Sequence, residues 1–125
     1  MARILLVGDR PAALHEFASG LSKNGNVVGW ASSGQEALAI IGREKIDTVI
    51  ADEKTRDGEG LDFVRVVVKM HPLINCAVIS SLPMAEFHEA TEGLGVFMQL
   101  PVRPGAEHAE KFLQLLETVD VLMNL

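Results

Sequence analysis

A chain of 125 residues, 48% apolar and 22% charged, makes one domain that can bury about two-thirds of its unfolded surface, which excludes a disordered segment. The net charge of −6 disfavours a broad nucleic-acid footprint, because such footprints are built from clustered Lys and Arg. One cysteine excludes an internal disulfide, four scattered histidines spell no zinc site, and no apolar run approaches the roughly 18 residues that span a bilayer.

Taken in chain order, short apolar runs alternate with segments of helical period. A first strand is expected over residues 3 to 8, ending at Asp9, too early for a signal peptide. Leu14, Phe17, Ala18 and Leu21 then repeat at helical spacing. A second strand covers residues 26 to 31, and Ser33 with Glu36 forms a capping box opening a helix that carries Ala37, Leu38 and Ile41. The third strand, residues 46 to 51, ends at Asp52 and a loop punctuated by Gly58 and Gly60. Leu61, Val64, Val67 and Val68 form a third helical stripe, closed by Pro72. Residues 75 to 80 make a fourth strand ending at Ser80 and Ser81, with Cys76 packed inside it. A weaker helix over Met84 to Leu94, a strand over 95 to 99 and a strong helix over Ala106 to Met123 complete the chain.

Five strands alternating with five helices predict an α/β domain spanning residues 1–125: a flavodoxin-like, doubly wound, five-stranded parallel sheet of order 2-1-3-4-5. In such sheets the carboxyl ends of the strands line the crevice where ligands collect. Asp9, Asp52 and Ser80 each follow a strand, so two acids and a hydroxyl are delivered to one edge. The last helix carries Phe112, Leu113, Leu115, Leu116, Val119, Leu122 and Met123, a stripe wider than one sheet face needs, and the excess suggests a homodimer or partner contact.

Ile4-Leu5-Leu6-Val7-Gly8-Asp9, Asp52 followed by Gly60-Leu61, Ile79-Ser80-Ser81, and Gly95-Val96-Phe97 with Leu100-Pro101 together resemble the receiver domain of bacterial response regulators. The resemblance covers about residues 2 to 120 and implies phosphoryl transfer from a histidine kinase or phosphotransfer protein to Asp52, with Mg2+ as cofactor and an effector domain or partner protein downstream. It implies Asp9, Asp52 and the backbone carbonyl of Lys54 as metal ligands, Ser80 as the hydroxyl that follows the phosphoryl group, Phe97 as the aromatic switch, and a cis peptide bond between Leu100 and Pro101. A switch module in the cytoplasm is implied rather than an enzyme, with no direct nucleic-acid or membrane contact.

Two positions depart from the family's pattern. Gly8 stands where the first of two adjacent acids is usual, and Leu100 stands where a lysine is usual. Loss of that ammonium should weaken electrostatic support for a phosphoryl group. Lys54 is placed to swing its ammonium toward Asp52, either replacing the absent lysine or competing with the metal. The departures also leave room for a second reading, a phosphorylation-independent pseudo-receiver that serves as a protein-interaction module. A flavin or nucleotide enzyme on the same fold is disfavoured, because Asp9-Arg10-Pro11-Ala12-Ala13 lacks the donors that would wrap a phosphate.

Overall fold

A computed structural model describes the backbone of residues 2–123 and the side chains of residues 2–119. Five strands form the main sheet: β1 (Arg3–Val7), β2 (Val27–Ala31), β3 (Thr48–Ala51), β6 (Asn75–Ile79) and β7 (Met98–Leu100). They run in the order β2-β1-β3-β6-β7, every pair parallel, which is the expected doubly wound order with a small hairpin added in the numbering. That hairpin, β4 (Lys54–Thr55) and β5 (Gly58–Glu59), is antiparallel and lies between β3 and the third helix. Its strands are two residues long, too short to show a period-2 pattern.

Alternation along the central strands explains why both faces are covered. Ile4 and Leu6 of β1 point to one side and Leu5 and Val7 to the other, as strand geometry dictates. On the first side they meet Phe17 and Leu21 of α1 (His15–Leu21) and Phe112 and Leu116 of α5 (Ala106–Met123). On the second they meet Ala37 and Ile41 of α2 (Gly34–Arg43), Phe63, Val64 and Val67 of α3 (Gly60–Met70) and Phe87 of α4 (Met84–Thr91). Helices α1 and α5 approach closely because Gly20 has no side chain: a Cβ there would stand 2.7 Å from that of Ala109.

Local chemistry sets the element ends. Ser33 Oγ accepts the Glu36 N–H at 3.0 Å, so the expected cap opens α2. The last strand starts at Met98 rather than at residue 95, because Gly95 takes a left-handed φ of 70° that extended backbone cannot continue. Helix α4 ends at Thr91 rather than Leu94, with Gly93 left-handed just beyond it. Along α5, Phe112 and Leu116 are buried, Leu113 and Val119 half-buried and Leu115 exposed. The side chains of Leu122 and Met123, which belong to the expected contact stripe, lie outside the described residues.

Candidate functional site

Val49, Ile50 and Ala51 are fully buried in the middle of the sheet, so β3 carries the next residue, Asp52, into the interior. Its carboxylate is only 1% exposed. The Asp52 N–H donates to the Val7 carbonyl at 2.8 Å, which extends the β1–β3 pairing by one step and seats the acid against Gly8. Two glycines make the seat. A Cβ on Gly8 would come within 2.7 Å of Asp52 Cβ and 3.3 Å of Oδ2, and a Cβ on Gly60 would come within 1.8 Å of the Asp52 carbonyl oxygen.

The two carboxylate oxygens are held unequally. Oδ1 accepts the Glu53 N–H at 2.7 Å. The Arg10 guanidinium faces both oxygens, its Nη2 lying 3.4 Å from Oδ1 and 3.5 Å from Oδ2. A buried carboxylate needs such a partner, since an unpaired charge in the interior is costly. Sequence reading missed Arg10, although its place beside Asp9 in the loop after β1 was the available signal.

Lys54, by contrast, turns away from Asp52. Its ammonium pairs with the Glu59 carboxylate across the β4–β5 hairpin. That hydrogen bond, then the Glu59 charge, holds the ammonium above its usual range, with smaller contributions from Glu53 and Asp9. Asp9 itself is exposed at the end of β1. Ser80, nearly buried at the end of β6, donates its N–H to the Leu100 carbonyl at 3.0 Å, while its Oγ accepts the Leu82 N–H at 3.1 Å. Ser80 and Lys54 share the wall of a cleft of about 270 Å³; Asp9 and Asp52 do not line it.

A further bridge crosses this edge of the sheet. Glu53 Oε2 accepts both the N–H and the Oγ–H of Ser81, at 2.5 and 2.6 Å, tying the loop after β3 to the loop after β6. The side-chain bond, then the backbone bond, holds the Glu53 carboxyl below its usual range, against a smaller cost of burial. The residues were visible in the sequence, but a contact across 28 positions leaves no local signal.

The hairpin is anchored from its turn. Asp57 Oδ1 accepts the Gly34 N–H at 2.8 Å and Oδ2 the Gln35 N–H at 3.1 Å, so this carboxylate caps α2 from another element. Thr55 Oγ1 donates to Asp57 Oδ1 at 2.9 Å, and the Arg56 N–H donates to the Ser32 carbonyl at 2.8 Å. Those backbone bonds, first from Gly34 and then from Gln35, hold the Asp57 carboxyl below the usual range. A carboxyl lowered by folding stabilises the fold above its unfolded pKa and loses that contribution as pH falls through the lower, folded value. Thermal melts of Asp57→Asn should therefore lie below the parent's at neutral pH, with the gap closing below about pH 4. A gap that stays constant into acid would show that the ionised carboxylate is not what holds the hairpin.

Phe97 is half-buried and packs edge-on against Phe112, with ring centroids 5.4 Å apart at 74°. It shares with Ser80 a groove of about 480 Å³ beside α4. The expected cis bond between Leu100 and Pro101 is corrected: among the described residues no peptide bond is cis. Trans is the lower-energy isomer before proline, and Leu100 is fully buried among the apolar residues facing α1 and α5. Cys76 is a packing residue, its thiol pushed up to about 12 by burial.

A doubly wound parallel sheet whose central strand ends in a buried acid defines a flavodoxin-like α/β domain with its chemistry at the carboxyl edge. The family model described as "Response regulator receiver domain" matches residues 4–101, and the chain belongs to that family. Transcriptional regulatory protein GlrR of Escherichia coli (strain K12) is 31% identical over 104 residues, covering 81% of this chain; the chain spans only 23% of that relative's length. Protein PilH of Pseudomonas aeruginosa is 38% identical over 69 residues, 55% of this chain and 57% of PilH. Among solved structures, chemotaxis response regulator CheY4 of Vibrio cholerae superposes with a TM-score of 0.80 at 24% identity, covering 91% of this chain and 97% of that one. NtrX from Brucella abortus superposes at 0.83 and 23% identity, covering 98% of this chain and 28% of that one. Receiver domains belong to two-component systems and are signalling modules rather than catalysts. Among the described residues no helix is long and apolar enough to cross a membrane.

Proposed function

We propose that this receiver domain takes a phosphoryl group on Asp52 from the phosphohistidine of a kinase or phosphotransfer protein and thereby changes its affinity for an effector domain or partner. The observation that carries this reading is the buried carboxylate at the end of the central strand, packed between two glycines, with the Glu53 amide on Oδ1 and the exchangeable Arg10 guanidinium 3.5 Å from Oδ2. In the reaction a carboxylate oxygen of Asp52 bonds to phosphorus, the donor's P–N bond breaks and its electron pair returns to the imidazole, leaving an acyl phosphate. The Glu53 amide on Oδ1 supports Oδ2 as the attacking atom.

The donors present suit a weak divalent site. Among the described residues no three His, Cys, Asp or Glu side chains gather to hold an ion. Magnesium nevertheless binds through one or two carboxylates with waters completing its shell. Asp9, Asp52 and the Lys54 backbone carbonyl would hold it, and bound there it supplies positive charge to the phosphoryl oxygens. Ser80 Oγ would follow the phosphoryl group by leaving the Leu82 amide, with Phe97 changing its packing in response. The domain acts in the cytoplasm in this reading.

A small phosphodonor with magnesium should add one phosphoryl group to the parent, read by intact mass, and none to Asp52→Asn. Equal labelling of both proteins would remove Asp52 from the role. The buried Leu100 in the lysine position favours a second reading, a pseudo-receiver that docks partners without phosphorylation. Under that reading, beryllofluoride with magnesium leaves the amide spectrum around Asp52 and Ser80 unchanged.

A further inference from the structure

We infer that Arg10 is the resident cation of the acceptor pocket, and that a divalent ion binds Asp52 only by displacing its guanidinium. This rests on the reading of Asp52 as the acceptor, but it concerns the chain's own charge balance and is testable apart from phosphorylation.

Three observations converge. The Asp52 carboxylate is almost sealed from solvent, and among the described residues the cation within hydrogen-bond reach is Arg10, shared between both of its oxygens. Oδ1 already receives the Glu53 amide, so the guanidinium and that amide together occupy the carboxylate. The Lys54 ammonium, on β4, is committed to Glu59, and Leu100 contributes no charge from the end of β7. Removing Arg10 would leave a buried carboxylate without its counter-charge, the condition in which a small divalent ion is most strongly drawn in. With Arg10 in place, an ion brought to the same oxygens meets a like charge a few ångströms away.

Arg10 is also free to leave. Its side chain is 46% exposed, so the guanidinium can exchange Asp52 for water without unpacking the core. The pair is screened only on its arginine side, so displacement is favourable only when the incoming ion itself supplies the counter-charge that the buried carboxylate needs. The balance between guanidinium and metal therefore sets how often Asp52 stands ready.

The test is a magnesium titration without phosphodonor, followed by calorimetry and by the Glu53 amide resonance, on the parent, Arg10→Gln and Arg10→Lys. Arg10→Gln should bind magnesium at least about tenfold more tightly than the parent, while Arg10→Lys, which keeps the charge, stays near it. In the parent, magnesium should move the Arg10 side-chain Nε–H resonance toward its position in free arginine, a readout that needs no variant. Equal affinities across the three proteins, or binding in the parent that leaves the Arg10 resonance still, would overturn the proposal. Asp52 labelling by a phosphodonor, measured separately, reports on the acceptor role alone. Failure there with the affinity difference intact removes that role and keeps the competition.

Discussion

Gly60→Ala should destabilise the domain by about 3 kcal/mol or more, seen as a lower urea midpoint with an unchanged slope. The added methyl carbon would stand 1.8 Å from the Asp52 carbonyl oxygen, far inside contact distance. Neither side can yield cheaply. The Gly60 N–H donates to the Glu53 carbonyl at 3.0 Å, and the Asp52 N–H donates to the Val7 carbonyl at 2.8 Å, so both backbones are pinned where they crowd. Relief requires α3 to lift its first turn off β3, exposing the Phe63 and Val64 that pack beneath it. Parent-like stability in this variant would mean that α3 does not begin so close to the acceptor.

Restoring the family's usual acid with Gly8→Asp should also weaken the protein rather than rebuild an ordinary pocket. Its Cβ would lie 2.7 Å from that of Asp52, an atom fixed to the backbone and unable to swing aside. Overpacking of this kind costs about 1–3 kcal/mol, and a second carboxylate beside a buried one adds repulsion. Repulsion raises the introduced carboxyl's pKa in the folded state, so that part of the cost is present at neutral pH and is relieved as pH falls through the raised value. Gly8→Ala isolates the steric part, which does not depend on pH. Thermal melts of both variants between neutral and acid pH separate the two contributions. If Gly8→Asp melts with the parent at neutral pH, Gly8 and Asp52 do not crowd each other as the 2.7 Å approach implies.

Much of the fold was legible because its strands are apolar runs with side chains alternating between two covered faces, as Ile4, Leu5, Leu6 and Val7 show. The position of Asp52 at the end of the central strand was legible for the same reason. Side-chain direction was not. Arg10 and Lys54 are both cations near an acid in sequence, and the register of the β4–β5 hairpin decides that Lys54 meets Glu59 and leaves Asp52 to Arg10. The start of β7 was misplaced because Val96 and Phe97 are apolar enough for a strand, while the left-handed turn at Gly95 delays it. Leu100 marked a missing ammonium, and its bond to Pro101 is trans, the lower-energy isomer before proline, where the resemblance implied cis.

The carboxylate of Asp57 spans from the hairpin turn to the first amides of α2, and the Arg56 amide closes on Ser32 beside it. The segment following the acceptor is thereby stapled at its far end to a helix distant in sequence. Opening it as a flap breaks its bonds to the Gly34 and Gln35 amides and to the Ser32 carbonyl, so its opening is coupled to the first turn of α2, which the Ser33 cap still holds.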